Sequence, residues 1–366
     1  MSEANRKIRI AVLLGGQSGE HDVSLRSAQT IIDALDPERY EVVPVGITRE
    51  GEWLTNDDPL AVLAADSSMP GLAAGIKPLS ELTQIESSKS PPVSLAAGVD
   101  VVFPALHGPM GEDGTIQGML ELSGTAYVGA GVLGSAVSMD KAITKTILTQ
   151  AGLPQLPWLQ VLRNEVRRNP QGIADHIGGK IGFPCFVKPA NLGSSVGISK
   201  VHDPSEMIPA LELAAHYDRK IIIERGVVGR EIELAVLGND DPIVSIAGEV
   251  KPAGEFYDFN AKYVDDTAEL IIPAKLDQQL LGYLQELAIA AFQALDLAGM
   301  ARVDFFIERD TDHVYVNEVN TLPGFTSISM YPMLWAASGL PLPKLVDRLV
   351  ELALERHADK RSTGAG

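Results

Sequence analysis

The stretch Ala301 to Tyr331, ARVDFFIERDTDHVYVNEVNTLPGFTSISMY, constrains this chain more than any other. Two alternating apolar runs, Ala301 to Glu308 and His313 to Asn320, flank a polar break at Asp310, Thr311 and Asp312, a pattern that predicts an antiparallel hairpin. Side chains alternate along a strand, so Arg302 shares a face with Asp304, and Glu318 shares one with Asn320. If the two faces coincide, one sheet surface carries a guanidinium, two carboxylates and an amide. Held partly out of water, such a cluster is costly unless its members pair or bind cations. Its oxygen donors suit a hard ion such as Mg2+ carried with substrate phosphates. A solvated sheet face beside an ordinary hairpin would use the same residues.

The 366 residues are 45% hydrophobic and 21% charged, enough apolar material for large cores and two or three domains. No run of 18 or more apolar residues occurs, and the opening MSEANRKIRIAVLLGG lacks the flanks of a secretory signal, so a cytoplasmic location is expected. The single cysteine, Cys185, excludes an intrachain disulfide framework and reads as a buried, inert thiol. A formal charge of −18 argues against nucleic acid and anionic membranes as partners. It leaves room for a local basic site, because Lys188 and Arg302 sit in apolar surroundings.

Ile8 to Leu14 reads as a buried strand entering the Gly15-Gly16 turn, followed by a helix with Ser24 as candidate N-cap. Backbone amides in such a loop can cradle an anion; GxGxxG is absent, so a nicotinamide site is a weak reading. Tyr40 to Ile47 is a second strand, and residues 51 to 100 read as a surface excursion. After the strand Val101 to Phe103, glycines at 108, 111 and 114 surround His107, Glu112 and Asp113, in the loop position where open α/β sheets carry function. Ser138 is the candidate cap of a helix holding Lys141. Helix caps and solvated side chains remain alternatives for His107, Glu112 and Lys141.

Phe183 to Lys188 and Ile198 to Val201 are strands joined by Asn191-Leu192-Gly193-Ser194-Ser195-Val196-Gly197, a loop of small hydrogen-bonding residues suited to covering phosphates. It is not a Walker motif, because GKS or GKT is missing. Lys188 precedes it and can reach phosphate oxygens. Glu224 and Glu231 flank the next turn, where a carboxylate can accept from an adenine amino group or ribose hydroxyls, or simply face solvent. Residues 248 to 274, which hold Tyr257, Asp258, Asn260, Lys262 and Tyr263 in a largely unstructured stretch before Ile271, read as a loop that closes over a ligand, or as a packed connector. Leu276 to Leu295 has the spacing of a core helix, Lys344 to Arg356 reads as a last helix, and His357 to Gly366 as a fraying tail.

In this order, GGQSGEHDVS, HGPMGEDGTIQG, SMDK, KPANLGSSVGISKV, DFNAKY and RVDFF with NEVNTLPGFTS resemble the D-alanine–D-alanine ligases of the ATP-grasp superfamily, over roughly Arg9 to Leu354. The resemblance implies a multidomain α/β and α+β chain: an open parallel-sheet N-terminal domain (1–143), a central ATP-grasp subdomain with the phosphate loop (144–247), and a C-terminal subdomain with closing loop and metal site (248–366). It implies ATP contacts from Lys141, Lys188, Gly193, Ser194, Ser195, Val196, Gly197, Glu224, Glu231 and Lys262. Asp304, Glu318 and Asn320 would ligate two Mg2+, or Mn2+.

By the same resemblance Glu20 binds the ammonium of the first D-alanine, with His107 near its carboxylate and Glu112 in the surrounding network. Ser194 and Tyr263 link to Glu20, Arg302 and the Gly324 amide stabilise the tetrahedral oxyanion, and Ser329 receives the second D-alanine's carboxylate. The implied reaction is ATP-dependent ligation of two D-alanines through an acyl phosphate for peptidoglycan precursors, by a cytoplasmic homodimer with no nucleic-acid or membrane partner. Tyr263, where D-lactate-using relatives carry histidine, favours an amine nucleophile. Asn260 departs from the acid common there. Another ATP-dependent carboxylate–amine ligase is the competing reading; a nucleotide-binding regulatory protein is disfavoured because the metal-side acids, phosphate lysines and Glu20 occur together.

Overall fold

The computed structural model describes residues 6–54, 58–65, 87–88, 98–193, 195–251 and 269–362, which build three sheets. The first contains β1 (Ile8–Gly15), β2 (Tyr40–Ile47), β3 (Trp53–Leu54), β4 (Ser87–Ser88), β5 (Val101–Pro104) and β6 (Ala126–Tyr127), in the order β4-β3-β2-β1-β5-β6. The strands β2, β1, β5 and β6 run parallel, and the short β3 and β4 add antiparallel at the edge. The continuous apolar run of β1 follows from burial on both faces. Ile10, Val12 and Leu14 enter one core, and Ala11 and Leu13 enter another. Strand order reverses between β1 and β5, so the loops after these strands border one crevice.

The second sheet, β7 (Trp158–Leu162), β8 (Cys185–Pro189), β9 (Ser199–Val201) and β10 (Lys220–Arg225), is antiparallel in the order β7-β10-β8-β9. Ile221 and Ile223 of β10 pack with Cys185 and Val187 against the helices Pro170–Lys180 and Pro204–Tyr217. Ile222 faces the other way, onto Ala142 and Ala190, and strand alternation puts Glu224 on that same face. Cys185 is fully buried, and burial pushes its thiol up to about 11, the inert state expected.

The third sheet orders β11 (Gly229–Gly238), β12 (Ile243–Lys251), β13 (Glu269–Ile271), β14 (Gly299–Glu308) and β15 (Val314–Asn320) as β13-β12-β11-β14-β15, all antiparallel. Val303, Phe305 and Val316 pack beneath the helix Gln278–Ala294, leaving the opposite face of β14 for Arg302 and Asp304. The helix Leu342–Ser362 buries Leu345, Val346, Leu349 and Val350 in a core shared with Ile10 and Phe103 of the first sheet and with Tyr331 and Trp335. Among the described residues, no helix is long and apolar enough to cross a membrane.

Three local expectations change. The helix after β1 begins at His21, so Ser24 lies inside it; the hydroxyl accepts from the Gly15 amide at 2.8 Å and donates to the Ala105 carbonyl, tying the β1 and β5 loops together. Ser138 is not a cap. The helix Val132–Met139 ends there, and Asp140 caps a new helix, Lys141–Gln150, by accepting from the Ala142 and Ile143 amides. The last helix runs through to Ser362, beyond the expected fraying point at His357.

Candidate active site

One cleft between the three sheets is lined by Glu20, His107 and Glu112 from the first, Lys141, Lys188, Gly193, Ser195 and Glu224 around the second, and Glu231, Arg302, Asp304, Glu318, Asn320, Gly324 and Ser329 from the third. Val196 and Gly197 belong to the same loop as Gly193 but do not line the cleft. Ser194, Lys262 and Tyr263, with Asn260, lie outside the described residues.

On the first-sheet side, Glu20 immediately precedes the helix His21–Ala34, and a Cβ at Gly108 or Gly193 would come within 3.4 or 3.2 Å of its Oε2. The carboxylate therefore stands beside the loop Asn191 to Gly197, in a space that glycine keeps open. His107 Nδ1 lies 3.0 Å from the Leu322 carbonyl and 3.5 Å from Glu112 Oε1, and Nε2 is 3.2 Å from Ser27 Oγ. Burial opposes charge on His107, but Glu112 and Glu20 more than offset it and raise the imidazole pKa. Burial, with Glu20 adding to it, raises the Glu112 carboxyl. Ser27 Oγ also accepts from the Phe325 amide at 3.1 Å, so His107 is joined to the turn that carries Gly324.

Around the second sheet, the loop after β8 is held by the Asn191 amide and side chain, both 2.9 Å from Asp218 Oδ2. At Gly197, φ is +72° and a Cβ would come within 2.6 Å of the Tyr217 ring, so only glycine fits this corner. Lys141 Nζ donates to the Leu192 carbonyl at 2.8 Å and stands 4.0 Å from Glu318, which bridges the loop to the third sheet. Burial, reinforced by nearby Lys188, lowers the Lys141 pKa although Glu318 opposes the shift. Glu224 is 2% exposed and ion-pairs with Lys145 through one oxygen and Lys188 through the other. Burial alone would raise this carboxyl, but the two ammonium groups pull it down to about 2. Glu224 in turn raises Lys188 against the opposing effect of burial.

On the third sheet, register pairs Arg302 with Asn320 and Asp304 with Glu318, so the four polar residues of the hairpin share one face. β11 adds Glu233 directly opposite Asp304. Arg302 spans these acids: Nε and Nη2 each donate to Asp304 at 2.7 Å, and Nε is 3.0 Å from Glu233 Oε2. Burial disfavours the charged guanidinium, yet Asp304 and Glu233 hold its pKa well above the ordinary arginine value. At Gly324 a Cβ would sit 2.8 Å from Ser329 Oγ, so any larger residue there would force the Ser329 side chain to move. Ser329 Oγ accepts from the Thr326 amide at 3.0 Å, and the residue stands at the N-terminus of the helix Met330–Ala337, where the dipole and free amides favour an anion.

The hairpin's donors are hard oxygens in adjacent register positions, a chemistry that fits Mg2+ or Mn2+. Among the described residues, no three His, Cys, Asp or Glu side chains form a ready-made metal cluster.

Sequence reasoning did not single out Lys145, Ser27 or Glu233. Lys145 stands one helical turn beyond Lys141, and Glu233 lies two residues from Glu231, so same-face spacing was the available signal for both. Ser27 carries no comparable signal, since its partners come from residues 107 and 325.

The profile described as D-ala D-ala ligase N-terminus matches residues 9–130, and that described as D-ala D-ala ligase C-terminus matches 147–351. The chain is 49% identical over 357 residues to a D-alanine–D-alanine ligase of Geobacillus thermodenitrificans, covering 97% of this chain and 98% of that protein. A D-alanine–D-alanine ligase of Thermoanaerobacter is 51% identical over 356 residues, covering 97% and 98%. Among solved structures, the D-alanine-D-alanine ligase from Coxiella burnetii superposes with a TM-score of 0.80 at 37% identity, covering 97% of this chain and 96% of that one. The VanG D-Ala:D-Ser ligase from Enterococcus faecalis gives 0.81 at 33%, covering 95% and 100%.

Proposed function

The chain belongs to the D-alanine–D-alanine ligase family, and from that premise we propose how its cleft performs the family's reaction. It has the ATP-grasp fold and joins two D-alanines at the expense of ATP, through D-alanyl phosphate, in peptidoglycan precursor synthesis. For this chemistry the chain works in three parts: 1–143 on the first substrate, with Lys141 near its end reaching the phosphates, 144–247 on ATP, and 248–366 on metal, oxyanion and closure.

A carboxylate resists attack by an amine because its oxygen is a poor leaving group. The first D-alanine's carboxylate therefore attacks the γ-phosphorus, ADP leaves, and a mixed anhydride forms. The second D-alanine's amine then attacks the carbonyl carbon, and phosphate departs with the bridging oxygen. Glu20 holds the first ammonium, with His107 and Glu112 beside it. Lys141, Lys188 and the loop Gly193 to Gly197, including Ser194, hold the polyphosphate. Lys262 joins them, and Glu224 and Glu231 stand toward the adenosine. Asp304, Glu318 and Asn320 would hold two Mg2+, or Mn2+, which when bound supply charge neutralisation on the phosphate oxygens. Arg302 and the Gly324 amide face the developing oxyanion, an electrostatic contribution made before the reaction begins. Ser329 and its helix N-terminus receive the second carboxylate. Tyr263 closes over the site with Ser194, excluding the water that would hydrolyse the anhydride.

The observation that carries this reading is the convergence of Glu20, the buried lysines and the Arg302 face on one cleft. Phosphate release by the purified protein with ATP, Mg2+ and either D- or L-alanine tests it: activity confined to D-alanine, with D-alanyl-D-alanine identified by mass, is expected. Activity with L-alanine alone would refute it. The structural likeness to a D-Ala:D-Ser ligase supports a second reading, D-serine as the attacking amine. Product masses with both amines present separate the two. We further propose a cytoplasmic homodimer, for which light scattering would give twice the 39.1 kDa chain mass.

A further inference from the structure

We propose that Lys145 is a positioning residue for ATP: by neutralising Glu224 from the side away from Lys188, it leaves the Lys188 charge uncancelled for the polyphosphate. The inference rests on the ATP-binding reading of this cleft. Lys145 projects from the helix Lys141–Gln150, whose Ala142 packs with Ala190 and Ile222 on the face of the second sheet that carries Glu224. Lys145 is 3% exposed, and its ammonium is paired with Glu224 and lies 3.4 Å from Gln155 Oε1. Glu224 bridges it to Lys188, giving a buried row of cation, anion and cation.

Charge counting makes the function of such a row definite. Within the row, two ammonium groups and one carboxylate leave a net charge of +1 at the end where Lys188 lines the cleft; Lys141, Glu231 and Glu318 also act there and are common to every variant compared. Without Lys145, Lys188 and Glu224 form a neutral pair, and an arriving triphosphate meets no net positive charge from the row. Without Glu224, two ammonium groups are left with no anion between them. A low-dielectric site magnifies each of these differences, because solvent screens them weakly. Glu224 also fixes the Lys188 ammonium in place, so Lys145 acts through Glu224 rather than by touching the nucleotide.

Equilibrium binding of ATP, ADP and adenosine to Lys145→Met, Lys145→Arg and the double variant Lys145→Met/Glu224→Gln tests this. Lys145→Met should weaken ATP by about tenfold or more, equivalent to about 1.4 kcal/mol, ADP by less, and adenosine by under about twofold. Lys145→Arg should remain within about threefold of wild type for ATP, since it keeps the charge. The double variant returns the net charge to +1 and should restore most of the wild-type ratio of ATP to adenosine affinity that Lys145→Met loses. Its adenosine affinity reports separately any direct contact between Glu224 and the base. Equal losses for ATP and adenosine in Lys145→Met, or a double variant whose ratio of ATP to adenosine affinity is no better than that of Lys145→Met, would overturn the proposal. If Lys145→Met does not fold, the double variant decides by the ratio of its ATP affinity to its adenosine affinity, in which any lost Glu224 contact with the base cancels: a ratio within about threefold of wild type supports the proposal, and a ratio tenfold lower overturns it. Wild-type protein that fails to bind ATP would overturn the functional reading as well. Wild type that binds ATP, together with a Lys145→Met that binds it equally well, removes this inference alone.

Discussion

Replacing Glu224 by glutamine changes one buried carboxylate into a neutral group of nearly the same shape, between Lys145 and Lys188. The carboxyl is held at about 2, against an ordinary 4.5. At about 1.4 kcal/mol for each tenfold change, the ionised form stabilises the fold by about 3 kcal/mol, at the lower edge of what breaking a buried ion pair costs. Because the folded-state value is depressed, this stabilisation is fully present above pH 4.5 and is lost as pH falls toward 2. The difference between wild type and Glu224→Gln should therefore depend on pH. It should be about 3 kcal/mol at pH 6 and about 1 kcal/mol at pH 3, where wild type has lost roughly 2 kcal/mol. Glu121 and Glu249 are also depressed by their cationic partners, but they are common to both proteins and cancel in the comparison. Amide hydrogen exchange of β10, corrected for the intrinsic pH dependence of exchange, reads the opening of this sheet directly. A difference that stays constant from pH 6 to pH 3, or one near zero at pH 6, would refute the electrostatic account of the lysine–glutamate–lysine row.

Three other substitutions test the remaining walls of the cleft. Arg302→Met should lower kcat by roughly 10²- to 10³-fold with little change in the KM for ATP, as expected when an oxyanion donor is removed; an equal rise in that KM would point to a ground-state role. Ser27→Ala leaves His107 Nε2 and the buried Phe325 amide without their shared partner, so the urea midpoint should fall by the equivalent of about 1–3 kcal/mol and the KM for D-alanine should rise. Tyr263→His should shift product from dipeptide toward depsipeptide when D-alanine and D-lactate compete; unchanged dipeptide exclusivity, read by mass, would count against Tyr263 as a specificity residue.

The hairpin was legible because its chemistry obeys a local rule. Alternation puts Arg302 with Asp304 and Glu318 with Asn320, and antiparallel pairing brings the two sets opposite each other. The loops bearing Glu20 and His107 were legible for a similar reason, since each follows an apolar run that could only be a buried strand. What local pattern does not carry is the partner across the fold. Arg302 reaches Glu233 because β11 lies beside β14, and no spacing within either strand announces that neighbour. Helix signals misled where several residues could do one job. Ser24 and Ser138 are good caps by type, but Ser24 joins two loops and Asp140 caps at the actual break. D-alanine itself was legible only in the order of six motifs, because a charged sheet face specifies an anion and a metal, not an amino acid.

Through the acyl phosphate, a carboxylate oxygen of the first D-alanine becomes an oxygen of the released phosphate. Ligation with D-alanine labelled with ¹⁸O in its carboxyl group, followed by mass analysis of the phosphate, tests it directly. The account predicts one ¹⁸O in each phosphate released; unlabelled phosphate accompanying labelled dipeptide would contradict it.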